Sequence, residues 1–307
     1  MKRLCRLLIL LAVLAVALGA PIGALTAHAD EALTLNAPRF HIFGPFFVTN
    51  SMLVTGIVAV VIIVFAQIAT RDMKEVPEGA QNFVEWLVEG LYNFLESIIG
   101  HQLVKKTFWF FATIFILILF SNWFGLIPGV GTIGFGTPTG GWMSIEQVSR
   151  PLFRGANADL NMTLAMAMVF FALWIIWALQ ANGFGGFIMH LFGPKGETSG
   201  LLKALMVVIF IIVGLLEVVS ILFRPIALSL RLYGNTYAGE NMLEQMSELV
   251  SHPAWLHTLC GIIVPIPFYF LEVLVGLVQA MVFMLLTAVF TLLICEHKDE
   301  GHGVHPH

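Results

Sequence analysis

The sequence predicts an all-α integral membrane protein: about five membrane-embedded helices, one amphipathic surface helix, and a long tilted hairpin made by the last two spans. Three observations predict it. Hydrophobic residues make up 58% of the chain and charged residues 11%, against about 45–50% and about 25% in soluble domains. Mean hydropathy is +0.90. The apolar residues fall in runs long enough to cross a hydrocarbon core of about 30 Å. This composition excludes a soluble globular enzyme and a disordered chain. It also excludes a nucleic-acid binder, because 15 Lys and Arg in 307 residues cannot build a phosphate-tracking face.

Lys2, Arg3 and Arg6 precede an apolar run from Leu7 to Ala20, followed by Ala27-His28-Ala29. This layout predicts a signal peptide over residues 1–29, cleaved before Asp30, the alternative being an uncleaved first span. Residues 30–45 then form an external N-terminal segment ahead of a membrane domain over 46–296. The first span is Phe46–Ala69, ending at Arg71, Asp72, Lys74 and Glu75. Gln81–Gly100 places Glu85, Glu89 and Glu96 among Phe83, Trp86, Leu91 and Leu95, the pattern of a helix lying on a membrane surface or a partner. Phe108–Ile127 is the second span, stopped by Pro128-Gly129.

A Gly/Pro-rich loop with Arg150 and Arg154 leads to Asn157 or Asp159, either of which can cap the third span, Leu160–Gln180. Gly183, Gly185 and Gly186 are expected to end it. Leu201–Leu249 and Leu256–Glu296 are too long for simple spans, at about 73 Å and 61 Å as helices. Either each breaks in two, with Pro225 one possible break, or both tilt steeply. The absence of a polar interruption favours two long helices turning around Ser251–Pro253. Basic residues beside the spans put the N-terminus outside and the His-rich tail, 297–307, in the cytoplasm; Arg150 and Arg154 run against that pattern. Cys5, Cys260 and Cys295 read as apolar fillers, and the tail histidines as solvated groups rather than metal ligands.

Arg231 lies inside the fourth span, where an arginine costs about 2.5–3.5 kcal/mol on insertion scales. A buried salt bridge to Glu217 or Glu240 would account for it structurally. Those carboxylates lie about 21 Å and 13 Å away along the helix, in opposite directions, beyond the reach of i, i+3 or i+4 pairs. Only Asn235 is one turn away. Arg231 therefore reads as a functional residue.

The stretch from Arg224 to Glu240, with Arg224-Pro225, Leu228-Ser229-Leu230-Arg231-Leu232-Tyr233-Gly234-Asn235 and Tyr237-Ala238-Gly239-Glu240, closely resembles the signature of F-type ATP synthase subunit a. Ser121-Asn122-Trp123-Phe124-Gly125-Leu126-Ile127-Pro128-Gly129, Ala158-Asp159-Leu160-Asn161-Met162-Thr163-Leu164, Gly183-Phe184-Gly185-Gly186-Phe187, Leu216-Glu217 and Val278-Gln279-Ala280-Met281-Val282-Phe283 follow the same family in order. The resemblance implies a proton-translocating stator subunit with two half-channels, in a bacterial plasma membrane, with no cofactor and no catalytic site of its own. Its implied partners are the c-subunit ring, the b subunits of the peripheral stalk, the remaining ATP synthase subunits and membrane lipid. Arg231 would take the place of the essential arginine, flanked by Asn235 and Gln279. Glu217 would lie on the cytoplasmic half-channel, and Glu240, Glu272 and Asp159 on the external one. Many bacterial relatives have histidine where this chain has Glu272, so two acidic groups here would share a proton.

Register adds one expectation. In an antiparallel hairpin, facing positions have a nearly constant sum, and Arg231 with Gln279 and Glu240 with Glu272 fit one register. Arg231 and Glu240 lie on nearly opposite helix faces, so a tilt, or a kink or unwinding near Gly234 or Gly239, should turn Glu240 toward its partner. The alternative functions are a stand-alone secondary transporter, for which the chain has no internal repeat, and an intramembrane enzyme, for which it has no zinc-protease helix, nucleophile elbow or phosphate loop.

Overall fold

The computed structural model describes residues 39–43, 46–127, 134–135, 150–151, 153–192, 201–247 and 263–295, together with 249, 260 and 261. The leader, the turn around Ser251–Pro253 and the histidine tail lie outside the described residues. Five helices among the described residues are long and apolar enough to cross a membrane, in line with the all-α membrane class.

The first departure from expectation is local. Arg39–Phe43 (β1) pairs antiparallel with Phe46–Thr49 (β2), so the first helix, α1, begins at Asn50 and runs to Ala69. The aromatic and β-branched run Phe46-Phe47-Val48-Thr49 suits a strand. Thr49 then ends the strand as the helix N-cap, its Oγ1 accepting the Met52 N–H at 3.2 Å.

Helix α2, Ala80–Gly125, fuses the expected surface helix and second span into one element. The junction is Gly100, whose φ of 75° and ψ of 158° bend the axis without ending the helix. Before the bend, Leu91, Leu95 and Ile99 are buried while Phe83, Trp86 and Phe94 stay exposed. Beyond it, Phe110 through Leu119 are buried without interruption.

A short ladder, Gly134–Phe135 (β3) with Arg150–Pro151 (β4), and a 3₁₀ turn, Ala156–Ala158, precede helix α3. Helix α3 runs from Leu160 to Phe192, so the glycines after Gln180 do not stop it. Gly183, at φ 69° and ψ 168°, makes a second bend, and the Trp174 and Phe187 rings meet across it at 6.5 Å.

Helix α4, Leu201–Ser247, is unbroken through Pro225 and about 70 Å long. Helix α5 is shorter than expected, Pro265–Cys295, or about 46 Å. Pro265 and Pro267 stand at the start of the helix. In the first turn their missing N–H groups have no intrahelical partner to lose. Both helices exceed a hydrocarbon core of about 30 Å, long enough for the tilted spans expected from the sequence.

The hairpin expectation needs one qualification. Helix α4 packs chiefly on α3, and α5 chiefly on α2, while α4 and α5 meet over a smaller area. Lipid supplies little hydrophobic drive between helices, so close packing and hydrogen bonds hold them together. The packing centre is aromatic: Phe110 stacks on Phe170 at 6.3 Å, and Phe110 and Phe111 meet the Trp177 ring edge-on at 5.8 and 5.9 Å. The Trp174 indole donates to the Phe290 carbonyl at 3.0 Å and the Asn182 amide to the Ile294 carbonyl at 2.7 Å. Such interhelical bonds contribute about 0.6 kcal/mol each on average.

Candidate functional site

Where α2, α4 and α5 converge, they leave a small cleft of about 20 Å³, room for about one water, lined by Asn122, Gly125, Asn235, Thr236, Glu240, Glu272 and Gln279. Four of the residues singled out in the sequence, Asn235, Glu240, Glu272 and Gln279, therefore share one space. Gln279 also lies beside Arg231, Leu228 and Phe283. Gln279 stands between the arginine and the acidic residues, as the register requires.

Asn122 braces the cleft. Its amide donates to the Gly276 carbonyl at 3.0 Å, and its Oδ1 accepts from the Asn157 amide at 2.8 Å and from the Thr236 hydroxyl at 3.4 Å. One side chain on α2 thus ties α5, α4 and the 3₁₀ turn together. Trp123 adds a bond to the Val273 carbonyl at 3.2 Å.

Two glycines admit the carboxylates. A Cβ on Gly239 would fall on the Glu272 carboxylate, and a Cβ on Gly155 would lie 2.5 Å from Glu240 Oε1. The expected kink at Gly234 or Gly239 does not occur, because α4 is helical throughout this stretch. Glu272 instead approaches the bare backbone at Gly239. Glu240, one position on, turns past the edge of that contact toward Gly125 and Gly155.

Glu240 has a partner that the sequence reading did not assign. Arg154 donates from Nε to Glu240 Oε2 at 3.3 Å, and its guanidinium lies 5.8 Å from the Tyr237 ring centre. The Arg154 side chain is 7% exposed, so the pair is shielded from water and from screening salt. The available signal was Arg154's departure from the charge pattern expected of the loops, which a local carboxylate partner accounts for.

Asp159 is buried but does not line the cleft. It is the residue that caps α3, accepting the Asn161 N–H at 3.0 Å. Asn157, the other capping candidate, is used by Asn122. Burial pushes the Asp159 carboxyl above the ordinary aspartate range, opposed by the Asn161 backbone bond, the charge of Arg154 and bonds to the Asn161 and Ser51 side chains. The Thr163 and Ser229 hydroxyls, 3.1 Å apart, join α3 to α4 just below.

Glu217, toward the other end of α4, accepts from Arg224 at 3.1 Å. That guanidinium also stacks over Phe290 at 4.6 Å and Trp174 at 5.7 Å. Both glutamates offered as mates for Arg231 are therefore taken by other arginines. Arg231 is exposed, and among the described residues it makes no ion pair. Around it α4 and α5 present Leu222, Phe223, Ile226, Leu230, Leu274 and Val278 outward. Only 17% of the apolar window of α4 is buried in the protein, against 61% for α2, so this is the least covered face of the bundle.

The family described as ATP synthase A chain matches residues 52–291. The chain is 31% identical to ATP synthase subunit a of Campylobacter jejuni strain 81-176 over 248 residues, covering 80% of this chain and 90% of that one. It is 31% identical to subunit a of Gloeobacter violaceus, covering 82% and 86%, and 32% identical to that of Trichlorobacter lovleyi, covering 78% and 85%. With five apolar helices and a family match spanning all of them, the chain belongs to the ATP synthase subunit a family of multi-pass membrane proteins.

Proposed function

We propose that this chain is the proton-translocating stator subunit of an F-type ATP synthase in a bacterial plasma membrane, non-catalytic itself, working against a ring of c subunits and held by b subunits. The observation that carries the reading is Arg231: a cation on an exposed apolar face, with no ion pair among the described residues. Such a group in lipid needs an external partner or water to offset its cost. A carboxylate on a passing rotor subunit supplies that partner.

Arginine suits the task because its pKa exceeds about 12, so it stays charged where a desolvated lysine can lose its proton. It attracts a deprotonated rotor carboxylate, and its positive charge blocks direct proton passage between the two half-channels. Glu240 and Glu272 form the external inlet, with Asp159 behind them; Asn235 and Gln279 flank the arginine, and Glu217 lies on the cytoplasmic outlet. A membrane potential contributes about 2.3 kcal/mol per charge per 100 mV to drive the cycle. Arg231→Ala is expected to abolish ATP-driven proton pumping in vesicles of the whole complex, while ATP hydrolysis by the detached catalytic sector persists. An assembled variant that pumps at the parental rate would overturn the reading.

A further inference from the structure

We propose that Arg154 is a positioning residue of the external inlet: it holds the ionised Glu240 carboxylate against Gly125 and Gly155 and releases it toward Glu272 each time Glu240 takes up a proton. The inference rests on the proton-path reading above and adds to it a second arginine with a role distinct from that of Arg231.

Three observations support it. The first is the contact itself, Arg154 Nε to Glu240 Oε2 at 3.3 Å, on a side chain only 7% exposed. The second is the shelf. Gly155 lies directly under the Glu240 carboxylate, and a Cβ there would come within 2.5 Å of Oε1. Gly125 on α2 lets the shelf itself come close: a Cβ there would lie 3.0 Å from the Gly155 Cα, whereas Glu240 Oε1 would be at an ordinary contact distance of 4.0 Å. A carboxylate has thus been given a tailored seat away from its acidic neighbour. The third is the cleft, into which both Glu240 and Glu272 face. The cleft has room for about one water, about 20 Å³, so a carboxyl released from Arg154 can turn toward Glu272 without a rearrangement of the helices.

The groups around Glu240 set what such a move costs. Arg154 faces it from the segment before α3, with Asp159 beside that arginine; Glu272 shares the cleft from α5, and Tyr233, Tyr237 and Glu244 lie on its own helix. From α2 it meets Asn122 and Gly125, neither of which titrates. Among the described residues, Arg154 is the cation beside Glu240, set between it and Asp159. When external water delivers a proton to a Glu240 oxygen, the ion pair with Arg154 is neutralised and the contact weakens. The neutral carboxyl then gives its proton to the Glu272 carboxylate, regains its charge, and is recaptured by Arg154. One proton enters, one bond to oxygen forms, the same proton leaves, and the ion pair is restored. The Tyr237 ring against the guanidinium keeps Arg154 in place while its partner is away.

The test uses whole complexes in vesicles, with the pH at the external end of the path varied independently of the other side. Removing a cation from beside a carboxylate favours the protonated form. Arg154→Gln is therefore expected to move the pH profile of proton flux upward by about one pH unit, the low end of a charged neighbour's effect. Arg154→Lys should restore most of the parental profile. In the Glu240→Gln background Arg154→Gln should add little further loss. An assembled Arg154→Gln complex with an unshifted profile, or losses that simply multiply in the double variant, overturns the proposal. Should Arg154→Gln fail to assemble, Gly155→Ala displaces the carboxylate while leaving the cation, and an unshifted profile there overturns it equally. Arg231→Ala in the same preparation separates the two readings: if it still pumps, the proton-path assignment itself has failed.

Discussion

Arg154 and Arg224 are each drawn into an ion pair and laid against aromatic rings, whereas Arg231, on α4 between their two glutamate partners, has neither among the described residues. The contrast teaches how the fold distributes charge in lipid. Glu240 and Glu217 are neutralised within the subunit, one by a residue from a distant loop and one by a residue two turns along its own helix. The cost of the remaining cation is left to be met from outside. A fold built only for stability would have paired Arg231 as well, since an unpaired charge in an apolar setting is expensive.

The largest effects that could break this comparison lie at the acidic end. If Glu240 and Glu272 act as one relay, replacing either by Gln should slow proton flux on the order of a hundredfold, as for loss of a proton-transfer group. Replacing both should cost less than the two logarithmic losses together. Strict additivity in fully assembled complexes separates them into unrelated sites and removes the reason for seating Glu240 at all.

The next effect is on stability. Asn122→Ala strips partners from Asn157, Thr236 and the Gly276 carbonyl at once, and should destabilise the detergent-solubilised protein by about 1–3 kcal/mol. A variant that unfolds at the parental denaturant concentration would show that the cleft does not depend on this residue. A smaller effect concerns Asp159, whose folded-state pKa is raised by burial. The raised value means the protonated form is favoured on folding. Its contribution to stability is therefore full below the ordinary aspartate range and is lost as pH rises through the folded value. Asp159→Asn keeps a capping oxygen and should flatten that decline in a melting-temperature profile against pH. The smallest effect is expected at Arg224, whose partner Glu217 is 44% exposed. An ion pair with so exposed a partner contributes at most about 1 kcal/mol, so Arg224→Ala should cost about that much in unfolding, with some part coming from the lost ring contacts.

The fold was legible where hydropathy and chain length decide it: five apolar segments became five helices, and Pro225 did not break α4. The boundaries went astray where a glycine could either end a helix or bend it. Gly100 and Gly183 both bend, a choice set by what packs beyond them, such as Phe187 on Trp174, and not by the local sequence. The approach of Glu240 to Glu272 and of Arg231 to Gln279 could be read from register. The partners of the glutamates could not. Arg154 lies 86 positions from Glu240, and a contact between a loop and a helix carries no periodic signal. Asp159 kept its capping place but stands outside the cleft.

The claim that most needs a direct test is that Arg231 is the barrier between two half-channels, and passive proton conductance tests it. Membrane vesicles stripped of the catalytic sector would carry the parental chain or Arg231→Ala, matched for assembled ring, and a potassium diffusion potential would drive protons. If the account holds, the variant leaks faster than the parental sector although it no longer pumps, because the blocking charge is gone. Parental leak together with parental pumping, in a variant shown to be assembled, would contradict it.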